Sequence, residues 1–224
     1  MNWELMWDSV PKLLAGVPLT LQLVALSLAL GVAVAALTAW ARLSHNMFLR
    51  GASWAYVFVF RGTPLLVQIF LIYYGLGQFE AVRQSFLWPF LREAYWCAIL
   101  ALALNTGAYT SEIFRSAVLA VPHGQLEAAR ACGMSGWLAF RRIIAPQALR
   151  QALPAYGNEI ILMVKASSLA STITLLEITG VARRLISQTY AVFEIFIVAG
   201  AIYLALNMLA SLAVRYSEKR LATA

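Results

Sequence analysis

The chain has 224 residues, 62% of them hydrophobic and only 12% charged, whereas soluble domains sit nearer half apolar and a quarter charged. That balance excludes an ordinary soluble domain and leaves an integral membrane protein with room for about five spans of ~20 residues. The net charge of +7 comes from cations dispersed between apolar runs, which fits loops that orient a protein in a membrane rather than a nucleic-acid surface.

At the N-terminus, Glu4 and Asp8 precede Lys12, the reverse of a basic leader, and the next apolar run is too long for a signal-peptide core. No cleaved leader is expected. Trp3, Met6 and Trp7 share a helical face suited to the membrane interface. The first span runs from about Val17 to Trp40. The second covers about Ala52 to Leu76 and contains Arg61-Gly62-Thr63-Pro64. Glycine and proline there predict a kink, and an arginine at that depth must face protein or water. Gln68, seven residues after Arg61, falls on the same face of a continuous helix. The third span, about Ala94 to Val118, carries Asn105, Tyr109 and Glu112 on one face. A polar stripe of this kind points at a partner helix or a cavity.

A polar interruption follows from Val121 to Pro146. Pro122 suits a helix start, Gln125 to Cys132 are good helix formers, and Gly133 can take a left-handed cap. Ser135 is suited to cap a second helix through Arg142 that Pro146 ends or kinks. Ala128, Ala129 and Ala131 keep the first helix slim, so another protein's backbone can approach it closely. The fourth span, about Gln147 to Ser171, contains Glu159 and Lys165. These two project about 240° apart and cannot pair on a straight helix, so each needs its own partner. Leu175 to Tyr190 reads as a short amphipathic helix with Glu177, Arg183 and Arg184 outward, and the last span is about Phe193 to Val214.

Orientation follows from counting cations. With five spans, Arg42, Arg50, Arg115, Arg130, Arg141, Arg142, Arg150, Arg215, Lys219 and Arg220 collect on one side. Lys12, Arg83, Arg92, Arg183 and Arg184 collect on the other, among most of the acids. The positive-inside rule puts the first set, the polar loop and the C-terminus in the cytoplasm, and the N-terminus outside. The chain reads as one transmembrane domain over 1–224, with its core at about 16–216 and the loop at 121–146.

Catalytic chemistry is not in view. His45 and His123 lie in separate loops, and Cys97 and Cys132 are too far apart in kind and place to suggest a disulfide or a metal site. No nucleophile motif is present, and no lysine follows a glycine, so the chain has no Walker A phosphate loop. Neither a catalytic nor a metal-binding residue is expected.

Glu127-Ala128-Ala129, Gly133 and Ile143-Ile144-Ala145-Pro146 resemble the EAA loop of ABC-type import permeases, with alanine at 145 where the family usually has leucine. Arg61-Gly62-Thr63-Pro64 with Leu65 to Gln68, the stretch from Asn105 to Glu112, Val121 to Gly124, and Leu153 to Met163 look like signatures of polar amino-acid permeases. The chain is most similar to the histidine/lysine/arginine/ornithine branch, which includes opine permeases. The resemblance implies an all-α type I importer permease fold with about five transmembrane helices in the bacterial inner membrane. It implies coupling to an ATPase through Gln125, Glu127, Ala128, Ala129 and Gly133. Its expected partners are two ABC ATPase subunits that bind ATP and Mg, a second permease subunit, identical or homologous, and a periplasmic or lipid-anchored binding protein. Membrane lipid surrounds the chain, and no nucleic acid is involved.

The candidate substrate-binding residues are Glu159, Glu112, Asn105, Tyr109, Arg61, Thr63 and Gln68. Each also has a structural reading. Arg61 can hydrogen-bond kinked backbone, with Thr63 and Gln68 sharing that ambiguity. Glu112 and Glu159 can bond a neighbouring helix or pair with Arg61 or Lys165, since a buried carboxylate is costly unless paired. Against an importer stand an ion-gradient secondary transporter, a membrane enzyme and a passive channel. The first leaves the slim loop helix unexplained. The second lacks a nucleophile or metal constellation, and the third lacks a filter-like repeat.

Overall fold

The computed structural model describes residues 2–222, and all regular structure among them is helical. Helix α1 (Trp3–Leu14) starts at Asn2, whose side-chain oxygen accepts the Leu5 N–H at 3.1 Å. Glu4 in its first turn and Lys12 in its last match the helix dipole. Helix α2 (Val17–Leu43) follows with Pro18 in its first turn.

The centre of the fold is the pairing of α2 with α7 (Ala94–Leu119). The buried face of α2 runs at three- and four-residue steps through Thr20, Leu23, Ser27, Gly31 and Ala35, all small but Leu23. Lipid gives two helices little hydrophobic reason to associate, so close packing over small residues does it instead. At Gly31 a Cβ would lie 2.3 Å from the Thr106 methyl of α7, so no larger residue fits without separating the helices. Leu23, Val24, Ile99, Leu102, Met163 and Ile173 complete this core.

Helix α3 (Met47–Gly62) starts at Asn46, whose side chain accepts the Phe48 and Leu49 amides at 2.9 and 3.4 Å. The expected kink is a full break. Thr63 before the proline is extended (φ −117°, ψ 147°), as a residue preceding proline must be. Helix α4 (Leu65–Phe70), continued by the wide turn Leu71–Gly75 and the tight turn Leu76–Gln78, leaves at 109° to α3. Two short helices, α5 (Glu80–Arg83) and α6 (Trp88–Leu91), lead into α7.

After α7 come α8 (His123–Ala131) and α9 (Gly136–Ala139). The second loop helix does not end at Pro146. Phe140–Ile144 forms a π turn in which the Ala145 N–H reaches the Phe140 carbonyl, and α10 (Ala145–Ala166) continues from it. The widened turn makes room for a proline ring that would clash in regular α-helix, so loop and fourth span are one rod. A tight 3₁₀ stretch, Ser167–Ile173, then leads to α11 (Ile178–Thr189) and α12 (Val192–Ala222).

Glu177, expected outward beside Arg183 and Arg184, is instead fully buried at 0% exposure. It caps α11 by accepting the Gly180 N–H at 2.9 Å, and its other oxygen takes the Tyr203 hydroxyl of α12. Capping α11 and bonding α12 satisfies the carboxylate inside, which sequence periodicity cannot register. Ile178 and Ala182 pack with Leu13 of α1 and Ile195 and Val198 of α12 in a second core.

Val17–Leu43, Ala94–Leu119 and Val192–Arg220 are long and apolar enough to cross a bilayer. Counting the bent pairs Met47–Gly62 with Leu65–Gln78, and Gly136–Ile173 with Ile178–Thr189, gives five passes.

Candidate functional site: a polar cleft between α3, α7 and α10

The break at Gly62 to Pro64 leaves the last carbonyls of α3 without helical partners. Gln68 supplies them. Its Nε2 donates to the Phe60 carbonyl at 2.9 Å, the Thr63 carbonyl at 3.1 Å and the Thr63 hydroxyl at 2.8 Å. Its Oε1 accepts the Asn105 side-chain amide at 3.0 Å, and Asn105 also donates to the Phe60 carbonyl at 3.3 Å. Gln68 therefore does not share a face with Arg61. The break folds it back and buries it, and it does the backbone bonding that the sequence reading offers to Arg61.

Freed from that task, Arg61 is exposed, with its guanidinium 5.1 Å from the centre of the Tyr109 ring. Such stacking holds a cation without spending its charge on a carboxylate. Arg61, Tyr109, Glu112 and Glu159 line one cleft of about 510 Å³, with Ser116 and Gln151 toward the α8 end. Asn105 joins Tyr109, Glu159, Leu162 and Met163 around an adjoining space of about 210 Å³ in the opposite direction. A third space of about 380 Å³ continues from Arg61, Tyr109 and Glu112 to Arg42, Trp54 and Phe58. Thr63 lines none of these spaces. Its hydroxyl donates to the Val59 carbonyl at 2.8 Å.

The two acids of the cleft differ. Glu112 pairs with neither Arg61 nor Lys165. Arg42 of α2 lies 2.6 Å from one oxygen, and Arg115 donates from Nε and Nη2 to the other at 3.1 and 2.9 Å. Arg115, three residues on, was readable as a helical neighbour. Arg42 comes from a different span and no sequence signal announces it.

Glu159 is buried at 9% exposure and accepts only the Thr106 hydroxyl at 3.1 Å, with no ion pair among the described residues. Lys165 is exposed, and its side chain has no partner among the described residues. Once Arg42 and Arg115 have neutralised Glu112, the cleft presents one cation, Arg61, and one anion, Glu159, flanked by Tyr109 and Asn105. Such an arrangement can chemically accommodate a ligand carrying both signs. A separate groove of about 260 Å³ between Trp40, Phe114, Phe140 and Leu149 is walled by carbon and offers no such chemistry.

The second candidate region is α8. Gln125, Glu127 and Ala128 are exposed, but Ala129 is buried at 3% against its own chain. The slim surface left open is that of Ala128 and Ala131. Gly133 takes φ +74°, the left-handed conformation that ends the helix. The Gln147 side chain of α10 donates to Gln125 at 2.6 Å, tying the loop helix to the rod above it.

The family described as the binding-protein-dependent transport system inner membrane component matches residues 13–223. The chain belongs to this family. The permease is 59% identical to the octopine transport system permease protein OccM of Rhizobium meliloti, over 92% of its own length and 84% of that protein. It is 43% identical to the histidine/lysine/arginine/ornithine transport system permease protein HisM of Escherichia coli K12, over 92% of this chain and 87% of the relative. Its fold matches the crystal structure of an amino acid ABC transporter with histidines, with a TM-score of 0.88 and 36% identity over 98% of this chain and 99% of that one. The chain is thus a multi-pass inner-membrane permease subunit of an ABC importer. Such subunits are themselves non-catalytic and work with an ATPase and a binding protein.

Proposed function

We propose that this permease forms half of the path for amino acids with a cationic side chain, or for opines, in a complex with a second permease subunit, two ATPase subunits and a binding protein. The observation that carries the reading is the pair of unspent charges in the cleft, Arg61 over Tyr109 and Glu159 on Thr106. The substrate's carboxylate meets Arg61, its cationic group meets Glu159, and Asn105 and Tyr109 take the remaining polar contacts. Thr63 and Gln68 hold the α3 break open, and Glu112 fixes α7 to the end of α2.

The orientation follows the cation count, with the N-terminus outside and α8 and the C-terminus in the cytoplasm. ATP and Mg bind the ATPase pair, whose closure moves α8 through Glu127 and Ala128. Because Phe140–Ile144 joins the loop to α10 without a break, a displacement of α8 and α9 travels up the rod that carries Glu159. The site then alternates between the binding protein above and the cytoplasm below.

The test is purification of the tagged chain from its native membrane, identification of the co-purifying subunits, and reconstitution. ATPase activity stimulated by a binding protein loaded with a basic amino acid or an opine is the expected result. Transport driven by an ion gradient with no co-purifying ATPase would overturn the proposal.

A further inference from the structure

A second polar pocket lies at the end of the bundle opposite α8. α10 spans 22 residues from the coupling loop, about 33 Å at 1.5 Å per residue, so Ser167–Ile173 and α11 stand at its far end. There, about 370 Å³ of space is lined by Ser171, Thr172, Thr174, Arg183 and Arg184. Both arginines are exposed. Arg183 donates to the Ser171 carbonyl at 3.4 Å, and the Arg184 side chain has no hydrogen bond or ion pair to any described residue.

The helix that presents them is held from behind. Ile178 and Ala182 are buried against α1 and α12, and the Ile178 N–H donates to the Thr20 hydroxyl at 3.4 Å. Glu177, the nearest acid in sequence, does not line the pocket, because Gly180 and Tyr203 occupy its oxygens. The pocket therefore has fixed walls, uncompensated positive charge and several hydroxyls. Adjacent arginines on the outer side also run against the bias that orients membrane proteins, so topology gives them no use there.

We propose that this pocket receives a carboxylate side chain of the binding protein, which Arg183 and Arg184 dock over the path. The inference rests on the orientation proposed above, with α11 outside. A guanidinium fork matches a carboxylate in charge and geometry, and a charge contact at the rim of an interface speeds encounter and registers the partners.

The experiment uses the complete reconstituted transporter, titrated with loaded binding protein while ATPase stimulation is read. Arg184→Glu should raise the half-saturating concentration of binding protein by about tenfold and flatten its salt dependence, with the maximal stimulated rate retained. Arg183→Gln with Arg184→Gln should give a smaller shift in the same direction. Unchanged half-saturation at normal stimulation overturns the docking pocket and leaves the transport reading intact. So does a lowered maximal rate at unchanged half-saturation, which would assign the arginines to gating. A changed response to free amino acid alone, with normal binding-protein titration, would likewise overturn it. The orientation is tested separately by an impermeant thiol reagent on Arg184→Cys, Cys132→Ser in sealed vesicles. Labelling only from the cytoplasmic side would refute the orientation itself.

Discussion

Replacing Glu159 by glutamine separates charge from shape in the cleft. Glu159 is 9% exposed and accepts the Thr106 hydroxyl at 3.1 Å. Glutamine keeps the volume and an oxygen for that hydroxyl, so local geometry survives. A hydrogen bond to a charged group contributes about 1.5–3 kcal/mol, so losing it should weaken capture of a cationic substrate roughly 10- to 150-fold. Stability should move the other way or not at all, because a buried carboxylate that makes no ion pair among the described residues is costly to hold. The assay is uptake of labelled arginine into proteoliposomes at saturating binding protein, beside a neutral polar amino acid delivered by the same protein. Thermal unfolding of the purified variant complex runs in parallel. Arginine uptake within twofold of the parent protein would refute the charge contact. An equal loss for arginine and the neutral amino acid, or a marked drop in unfolding temperature, would assign Glu159 a structural role instead.

Gln68→Leu strips the α3 break of its bonds to Phe60, Thr63 and Asn105. It should cost roughly 2–4 kcal/mol in stability, read as a lower unfolding temperature in detergent, and an unchanged temperature would count against the role given to Gln68. Glu112→Gln leaves Arg42 and Arg115 facing each other without their shared anion, in side chains only 14% and 29% exposed. Its cost should be roughly 2–3 kcal/mol, below that of a fully buried pair, and Arg42→Gln added to it should cost far less than the sum of the two. Full additivity in that double-mutant cycle would mean the pair does not couple. Glu127→Lys should leave the complex assembled while abolishing substrate-stimulated ATPase, and normal stimulation would remove Glu127 from the coupling surface. Gly133→Asp should do the same with an added strain of about 1–2 kcal/mol, from φ +74° at a residue with a side chain.

Much of this protein is legible from one dimension. Lipid as solvent demands long apolar helices, so spans at about Val17 to Trp40, Ala94 to Val118 and Phe193 to Val214 follow from the hydropathy pattern, and the helices Val17–Leu43, Ala94–Leu119 and Val192–Ala222 contain them. Asn105, Tyr109 and Glu112 lie within one helix, so their common face follows from its pitch. Gly133 was readable because only a left-handed residue ends a helix so tightly.

What failed in sequence shares one cause: a partner distant along the chain, or a break that resets helical phase. A continuous helix would align Gln68 with Arg61, and the 109° bend between α3 and α4 breaks that alignment. Periodicity turns Glu177 outward, whereas Tyr203 of another span and the Gly180 N–H satisfy it inside. Pro146 reads as the end of a helix or a kink in it, and a π turn carries the helix through it. Glu112 and Glu159 look alike in sequence, both being acids within apolar spans. Arg42, brought in by the seam of α2 and α7, joins Arg115 in spending the charge of Glu112, while Glu159 makes no ion pair among the described residues. The sequence decided where polar groups enter the membrane, because each is an exception to an apolar rule. The tertiary structure decided which of them remain unpaired, because pairing depends on what else arrives within 4 Å.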